Sequence, residues 1–243
     1  MIRVGRRKYA KNGSYVDPIF PGFTSILVLL KGHSEWGVLG PYELKDDNGR
    51  IMENLYQASK VYPKVPATTQ YYSRWNKTIT WQHPEEIHYL DGEIQAAYWL
   101  WREKLNTNKY FVRYPVGRTN THTCIFSMKE GEFDTKLNYV EGRKKVYAPL
   151  YMTMVKKQPK YTELKNRLKA GENLLIIEVD GPHQESLDYY KSQYAVDDSF
   201  IENETMLASS ENLNLMLNDV KHPFGHGYCL AMALLDLENL IEQ

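Results

Sequence analysis

The stretch NLLIIEVDGP, residues 173–182, places four consecutive aliphatic residues before an acidic turn, and it is the clearest strand in the chain. A second apolar run, ILVLLKG at 26–32, predicts a buried strand that ends at Gly32. Helical patterns surround both strands, without the regular strand–helix–strand alternation of a doubly wound sheet. The order of elements therefore predicts an α+β, helix-rich fold.

Helical spacing accounts for much of the remaining chain. A first helix is predicted over 50–62, where Pro63 stops it. A second is predicted over 91–105, with Asp91 as its cap. Further helices are predicted over 147–157, 159–171, 210–220 and 227–243, and short strands over 110–117 and 122–128.

Composition narrows the class of protein. The 243 residues carry 30 basic and 30 acidic side chains, so no bulk electrostatic footprint for DNA is present, although local basic patches remain open. Two cysteines, Cys124 and Cys229, are too few for a disulfide framework and are typical of a reducing compartment. The apolar run SILVLL is about a third of a membrane span. We therefore expect a soluble, cytoplasmic protein with no membrane partner.

The stretch ENLYQASK, residues 53–60, aligns polar groups on one side of the first predicted helix. At 100° per residue, Glu53, Tyr56, Gln57 and Lys60 fall on a single stripe. A carboxylate and an amine with a gap between them can bracket a substrate atom, the first steadying positive charge and the second attacking as a nucleophile. The alternative is an ordinary structural or solvated helix face.

The residues ENLYQASK resemble the motif E-x-x-[YF]-Q-A-x-K of the NADAR superfamily of N-glycosidases. Two further stretches resemble that family in the same order, YMTMVKKQPKYTELKNRLKAGENLLIIEVD and NDVKHPFGHGYCLAMALLDL. The resemblance covers about 35–60 and 150–240. It implies a single NADAR-like domain over 1–243, with 64–147 as a large family-divergent insertion.

The resemblance implies cleavage of a bond between a ribose and a base nitrogen, without a metal or other cofactor. Lys60 is then the nucleophile that forms a ring-opened Schiff base, Glu53 manages protons, and Tyr56 and Gln57 position the sugar. The expected reaction is removal of ADP-ribose from guanine in nucleic acid, which includes single strands. Alternatives are a free nucleotide or a ribosylamino-pyrimidine of riboflavin synthesis, or a non-catalytic module that binds ADP-ribose or nucleic acid. The oligomeric state stays open.

Two further stretches contribute candidate substrate-binding residues. The turn HPFGHG is expected to face a phosphate or base through Phe224, Gly225, His226 and Gly227, although a structural turn or a metal-binding pair of His222 and His226 are alternatives. The turn departs from the family's pattern because it lacks the usual asparagine. The stretch EVDGPH is expected to line the site through Glu178 and Asp180, or to be an ordinary turn.

Overall fold

A computed structural model of the chain describes residues 1–29, 34–71 and 75–242. The strands are β1 (Ile2–Arg6), β2 (Lys8–Tyr9), β3 (Tyr15–Val16), β4 (Thr24–Leu27), β5 (Lys60–Val61), β6 (Lys64–Val65), β7 (Thr68–Tyr71), β8 (Ile79–His83), β9 (Glu86–Ile87), β10 (Tyr89–Leu90), β11 (Glu93–Ile94), β12 (Phe126–Lys129), β13 (Glu132–Leu137), β14 (Leu174–Glu178) and β15 (Thr205–Leu207). The helices are α1 (Met52–Ala58), α2 (Ala96–Asn106), α3 (Tyr139–Gly142), α4 (Ala148–Val155), α5 (Pro159–Lys169), α6 (Leu187–Tyr194), α7 (Ser210–Asn218) and α8 (His226–Leu234).

The prediction of an α+β fold is confirmed, since helices and several small sheets both occur. The chain divides into two compact units. Unit one comprises 1–43 and 151–243, and unit two comprises 44–150. Unit two contains the predicted insertion, 64–147, and it also contains the ENLYQASK stretch. Within the described ranges, no helix is long and apolar enough to cross a membrane.

Unit one is built on a four-stranded sheet of order β15-β1-β14-β4. β14 runs parallel to both of its neighbours, and β15 runs antiparallel to β1. All five residues of β14 are buried, as the run of aliphatic residues predicts. Every residue of α8 is buried too, and α8 packs on β1 and β14. The sheet and α8 together bury the apolar side chains of this unit.

The strand predicted over 26–32 differs in its bounds. β4 begins at Thr24 and ends at Leu27, and the predicted end at Gly32 lies outside the described residues. Val28 still donates its N–H to the Ile177 carbonyl oxygen at 3.1 Å. Its own carbonyl oxygen, however, accepts a hydrogen bond from the side chain of His226. A side chain thus replaces the next strand partner, and the strand ends there.

Unit two has a core of aliphatic and aromatic side chains from several short elements. α1 packs against α2, and β5 joins β12 and β13 in an antiparallel sheet of order β13-β12-β5. The fully or almost fully buried members of this core are Ala58, Val61, Tyr62, Val65, Trp81, Tyr98, Trp101, Leu105, Val112, Val116 and Met128. Trp75, in contrast, is exposed, and Trp99 is only partly covered.

The first predicted helix, 50–62, is too long. α1 ends at Ala58, Ser59 caps it, and the chain continues into β5, where Lys60 pairs with Ser127. Val61 and Tyr62 are fully buried in the core of unit two. Burial of these side chains against other elements favours the strand, although the local spacing is compatible with a longer helix.

The second predicted helix, 91–105, begins too early. α2 starts at Ala96 after the cap residue Gln95. Asp91 and Gly92 have φ angles of 51° and 85° and form the turn of the β10–β11 hairpin, so Asp91 is not a helix cap. An Asp-Gly pair with positive φ at both positions is a favoured two-residue hairpin turn.

The short strand predicted over 110–117 is wrong, because no strand is assigned to these described residues. The side chain of Asn54 fixes this segment instead. Its amide donates to the carbonyl oxygens of Asn108 and Tyr110 at 3.2 and 2.9 Å, and its oxygen accepts from the Val112 N–H at 2.8 Å. Asn54 is therefore a fully buried clamp and not part of an exposed helix surface. The other predicted strand, 122–128, is confirmed only from Phe126, where β12 begins; the two residues at 122–123 end a short 3₁₀ helix, Arg118–Thr123.

Candidate active site

The ENLYQASK residues lie at the junction between α1 and β5 in unit two. Glu53, Tyr56 and Gln57 belong to α1, whereas Lys60 is the first residue of β5. The turn is closed by Ser59, whose hydroxyl donates to the Tyr56 carbonyl at 2.7 Å. The junction directs the Lys60 side chain back towards α1, so the four predicted residues lie together although the helix ends before the lysine.

The amide of Gln57 connects the carboxylate to the amine. Gln57 Nε2 donates to Glu53 Oε1 at 2.9 Å, and Lys60 Nζ donates to Gln57 Oε1 at 3.0 Å. An amide offers donors at one end and an acceptor at the other, so these two neighbours determine its orientation. The gap between Glu53 and Lys60 is bridged by a side chain that holds both groups in place.

Burial makes this group electrostatically unusual. The side chains of Glu53 and Gln57 are buried, and Lys60 is half-buried. Loss of hydration lowers the pKa of Lys60, and the negative charge of Glu53 acts in the opposite direction by a smaller amount. A lysine with a lowered pKa has a larger fraction of neutral amine at neutral pH, and the neutral amine is the nucleophilic form.

Aromatic rings flank the amine. Lys60 Nζ lies 4.2 Å from the centroid of the Tyr56 ring, within the range of a cation–π contact. Burial raises the pKa of Tyr56, so its phenol keeps its proton at neutral pH. The Tyr147 ring meets the Tyr56 ring at a centroid distance of 4.7 Å and an angle of 60°. The two rings form a rigid wall beside the lysine.

Two residues near this group, Arg143 and Cys124, lie in surroundings that the sequence does not reveal. Arg143 is buried, and its positive charge opposes the rise in the pKa of Tyr56. Cys124 is half-buried, and burial raises its pKa although the charge of Lys60 opposes the shift. Their placement depends on contacts across unit two that no local pattern encodes.

The second set of predicted residues surrounds Glu178 in unit one. Glu178 is the last residue of β14 and is fully buried. Its Oε1 accepts the N–H of Gly227 at 2.8 Å, and its Oε2 lies 3.1 Å from His226 Nδ1. The carboxylate therefore binds the first turn of α8, where a negative charge is favourable.

His226 is held on both sides of its ring. Its Nε2 donates to the Val28 carbonyl oxygen, and its Nδ1 faces Glu178. Burial opposes the charged imidazolium, but the charge and hydrogen bond of Glu178 and the Val28 carbonyl outweigh it and raise the pKa of His226. Half-buried Asp180 contributes to the same shift through its charge.

The glycines of the HPFGHG turn are required by Glu178. A Cβ on Gly225 would lie 2.3 Å from Glu178 Oε2, and a Cβ on Gly227 would lie 2.8 Å from Oε1. Phe224 is buried and stacks on Tyr228 at a centroid distance of 4.9 Å. Close packing against the carboxylate, and not a special backbone angle, explains why this turn contains glycine at 225.

The alternative of a metal-binding pair at His222 and His226 does not fit the geometry. His222 Nδ1 lies 2.7 Å from Asp219 Oδ2, whereas His226 is engaged by Glu178. Each histidine thus has its own carboxylate. A different set, His83, Glu86 and His88 in unit two, has potential metal ligands close together. Its H-x-x-E-x-H spacing is visible in the sequence, and it is absent from the predicted site residues.

Comparisons with protein-family models, with curated proteins and with solved structures found no match for this chain. The predicted site residues form two sets. Glu53, Tyr56, Gln57 and Lys60 are brought together in unit two, and Glu178, Gly225, His226 and Gly227 are brought together in unit one.

Proposed function

We propose that the chain is an N-glycosidase that cleaves a bond between a ribose and a base nitrogen, with Lys60 as the covalent nucleophile. The single observation that carries the proposal is the hydrogen-bonded series from Glu53 through Gln57 to Lys60, in which the lysine has a lowered pKa. The preferred substrate is ADP-ribose attached to guanine in nucleic acid, single strands included. This substrate is an expectation from the resemblance to NADAR N-glycosidases.

Lys60 begins the proposed reaction. The lone pair of its amine attacks the anomeric carbon, and the bond from that carbon to the base nitrogen breaks. The electron pair of that bond leaves with the base, which takes up a proton. The lysine nitrogen then gives up one proton, and its lone pair expels the ring oxygen from the same carbon; the ring oxygen is protonated and the nitrogen becomes a protonated imine. Water hydrolyses the imine, which releases the sugar as an aldehyde and restores the amine.

Glu53 and Gln57 are assigned supporting roles. The transition state of glycosidic cleavage resembles an oxocarbenium ion, so a nearby carboxylate lowers its free energy. Glu53 also has the chemistry to transfer protons as the base leaves. Gln57 holds the Lys60 amine and the Glu53 carboxylate in fixed positions. The two side chains therefore lose less conformational entropy when the transition state forms. Tyr56, protonated and flat, is assigned to positioning the sugar.

Glu53→Gln tests the carboxylate. We expect the cleavage rate to fall by about 10²- to 10⁴-fold, the usual contribution of general acid–base catalysis. The substitution preserves side-chain shape, so the thermal midpoint should change little. The measurement is turnover of guanine-ADP-ribosylated single-stranded DNA, followed by the mass of the released sugar. If Glu53→Gln turned over the substrate as fast as the unsubstituted chain, Glu53 would have a structural role only.

The pH dependence of imine formation tests the lowered pKa of Lys60. Protonated lysine cannot attack, so the rate at which the borohydride-trapped adduct forms should rise with pH. The rate should level off once the pH exceeds the pKa of Lys60, which is the midpoint of the rise. We expect that midpoint below the ordinary lysine value of about 10.4. Because the charge of Glu53 raises the pKa of Lys60, Glu53→Gln should move the midpoint to lower pH. A midpoint at the ordinary lysine value in the unsubstituted chain, or a higher midpoint in Glu53→Gln, would contradict the assignment of Lys60 as a nucleophile with a lowered pKa.

The substrate class is tested with three substrates in parallel. These are guanine-ADP-ribosylated single-stranded DNA, a free nucleotide, and a ribosylamino-pyrimidine. The proposal expects the fastest cleavage with the DNA adduct. Faster cleavage of either small molecule would keep the N-glycosidase assignment and change its substrate. Binding of all three without cleavage would overturn the enzymatic proposal in favour of a binding module.

A further inference from the structure

A second cluster of reactive side chains lies at the turn between β8 and β9. His83 is the last residue of β8, Glu86 is the first residue of β9, and His88 directly follows β9. One ligand atom from each of the three residues lies within 4.8 Å of the other two. The turn at Pro84 folds the chain back, and Glu86 and His88 project to the same side because they are two residues apart in an extended segment. The cluster lies entirely within unit two.

The distances within the cluster match those between the ligands of one metal ion. His83 Nε2 lies 3.2 Å from Glu86 Oε2, and His88 Nε2 lies 3.5 Å from the same oxygen. Ligand atoms placed about 2.0–2.1 Å from a tetrahedral zinc ion are separated by about 3.3 Å. The three side chains therefore need only small movements to share one ion.

The protons on His83 also favour a cation at this position. His83 Nδ1 lies 2.6 Å from the Pro84 carbonyl oxygen, and since a carbonyl only accepts, Nδ1 carries the hydrogen. In the neutral ring, Nε2 then presents an electron pair towards the Glu86 carboxylate. Two electron-rich atoms in contact repel unless a cation lies between them. A histidine that donates its second ring N–H to a backbone carbonyl is the usual arrangement of a metal ligand.

His88 provides an independent observation. It is fully buried, and neither ring nitrogen makes a hydrogen bond of good geometry to a described residue, although Nε2 lies 3.5 Å from Glu86 Oε2. Trp101 and Tyr98 surround the ring at centroid distances of 5.2 and 5.8 Å. Buried polar atoms without a hydrogen bond are rare, because they lose their hydration and gain no interaction that compensates for it. A single proton shared by His83 and Glu86 would leave His88 unsatisfied, whereas an ion bound by all three would not.

We propose that His83, Glu86 and His88 bind a divalent transition-metal ion of the zinc class. Two imidazoles and one carboxylate suit zinc, cobalt and nickel better than magnesium or calcium, which prefer oxygen ligands alone. Three protein ligands leave a fourth position for water. The bound ion fixes the β8–β9 turn to the core of unit two. This site is separate from Lys60 and does not depend on the proposed glycosidase activity.

Open space lies on one side of the cluster. An open cleft of about 550 Å³ borders His83, and its lining residues are Ala67, Thr68, Thr69, Gln82, His83, Pro84 and Lys104. Glu86 is partly exposed, so its carboxylate can meet an ion that arrives from solvent. Two members of the cluster, His83 and Glu86, thus border the cleft or solvent, whereas aromatic rings enclose His88.

The test is titration of the full, tag-free chain with Co²⁺ after removal of metals by chelation. We expect binding of one equivalent, visible d–d absorption typical of a tetrahedral cobalt site, and quenching of tryptophan fluorescence. The Trp81 ring stacks on His83 at a centroid distance of 5.8 Å, which makes its emission sensitive to the ion. Zn²⁺ should displace Co²⁺, because zinc binds such ligands more tightly, and should raise the thermal midpoint.

Glu86→Gln is the informative variant, because Glu86 is partly exposed and the change keeps the side-chain shape. We expect Co²⁺ affinity to fall by at least about 10-fold. His122→Gln, which alters an exposed histidine outside the cluster, is the matched control and should bind Co²⁺ like the unsubstituted chain. His88→Phe fills the buried space with another ring and should abolish the absorption. No stoichiometric Co²⁺ binding, or equal affinity in Glu86→Gln and His122→Gln, would overturn the proposal.

Discussion

Lys60→Met is expected to reduce cleavage of the ribosyl–base bond by at least about 10³-fold, as removal of a covalent nucleophile does in other enzymes. Methionine occupies a similar volume but has no amine with which to form an imine. The lost interactions are the hydrogen bond to Gln57 and the contact with the Tyr56 ring. Together they contribute about 1 kcal/mol to the free energy of unfolding, or roughly 2–4 °C in the thermal midpoint.

The matched control is Lys64→Met. Lys64 is exposed on β6 and forms an ion pair with Glu85 at 2.7 Å. It lies four residues from Lys60 and outside the hydrogen-bonded series, so turnover should remain near that of the unsubstituted chain. Full activity in Lys60→Met, or equal losses in both variants, would refute Lys60 as the nucleophile.

Gly225→Ala is expected to destabilise unit one by about 3 kcal/mol, since overpacking of a closed site costs about 1–3 kcal/mol and strain on a buried ionic group adds to it. The φ angle of Gly225 is −86°, which alanine adopts without strain. The cost arises because the new Cβ would lie 2.3 Å from the buried carboxylate of Glu178, which is itself held by Gly227 and His226. Denaturant unfolding monitored by circular dichroism measures the change.

Gly171→Ala provides the opposite case as a control. Gly171 has a φ angle of +89° with open space around its Cβ position, so alanine there meets backbone strain without a clash. That strain costs about 1–2 kcal/mol. A loss in Gly225→Ala no larger than the loss in Gly171→Ala would contradict the close packing against Glu178.

The local sequence pattern was sufficient to predict elements whose residues are nearly all buried or share one clear helical or strand spacing. β14 follows from four adjacent aliphatic residues, and α8 follows from its apolar helical spacing, although α8 ends at Leu234 and not at the predicted residue 243. α5 begins at Pro159 as predicted, because proline suits the first turn of a helix. Each of these elements is specified by residues that are close together in sequence.

Elements that depend on distant partners could not be predicted from local pattern. The end of α1 at Ala58 is set by burial of Val61 and Tyr62 and by pairing of β5 with β12. The role of Asn54 depends on backbone groups more than fifty residues away. The hairpin turn at Asp91 is different, because the Asp-Gly pair was available as a local signal and the helical interpretation overlooked it.

In the candidate site, too, some features follow from local spacing and others depend on residues that are distant in sequence. The set Glu53, Tyr56, Gln57 and Lys60 was predicted from spacing on one helix, and the side chains do meet, although Lys60 comes from a strand. The bridging role of Gln57 needs side-chain positions that spacing alone does not give. The partners of Glu178 are about fifty residues away in sequence, and only the packing of α8 on β14 brings them together.

The most direct test of Lys60 as nucleophile is reduction with borohydride during turnover of guanine-ADP-ribosylated single-stranded DNA, followed by intact-mass spectrometry and peptide mapping. We predict a covalent sugar adduct on the peptide that contains Lys60, together with loss of the modification from the DNA. Lys60→Met should give neither product. Cleavage of the DNA adduct without a covalent mass on Lys60, or with an adduct on another lysine, would show that Lys60 is not the nucleophile.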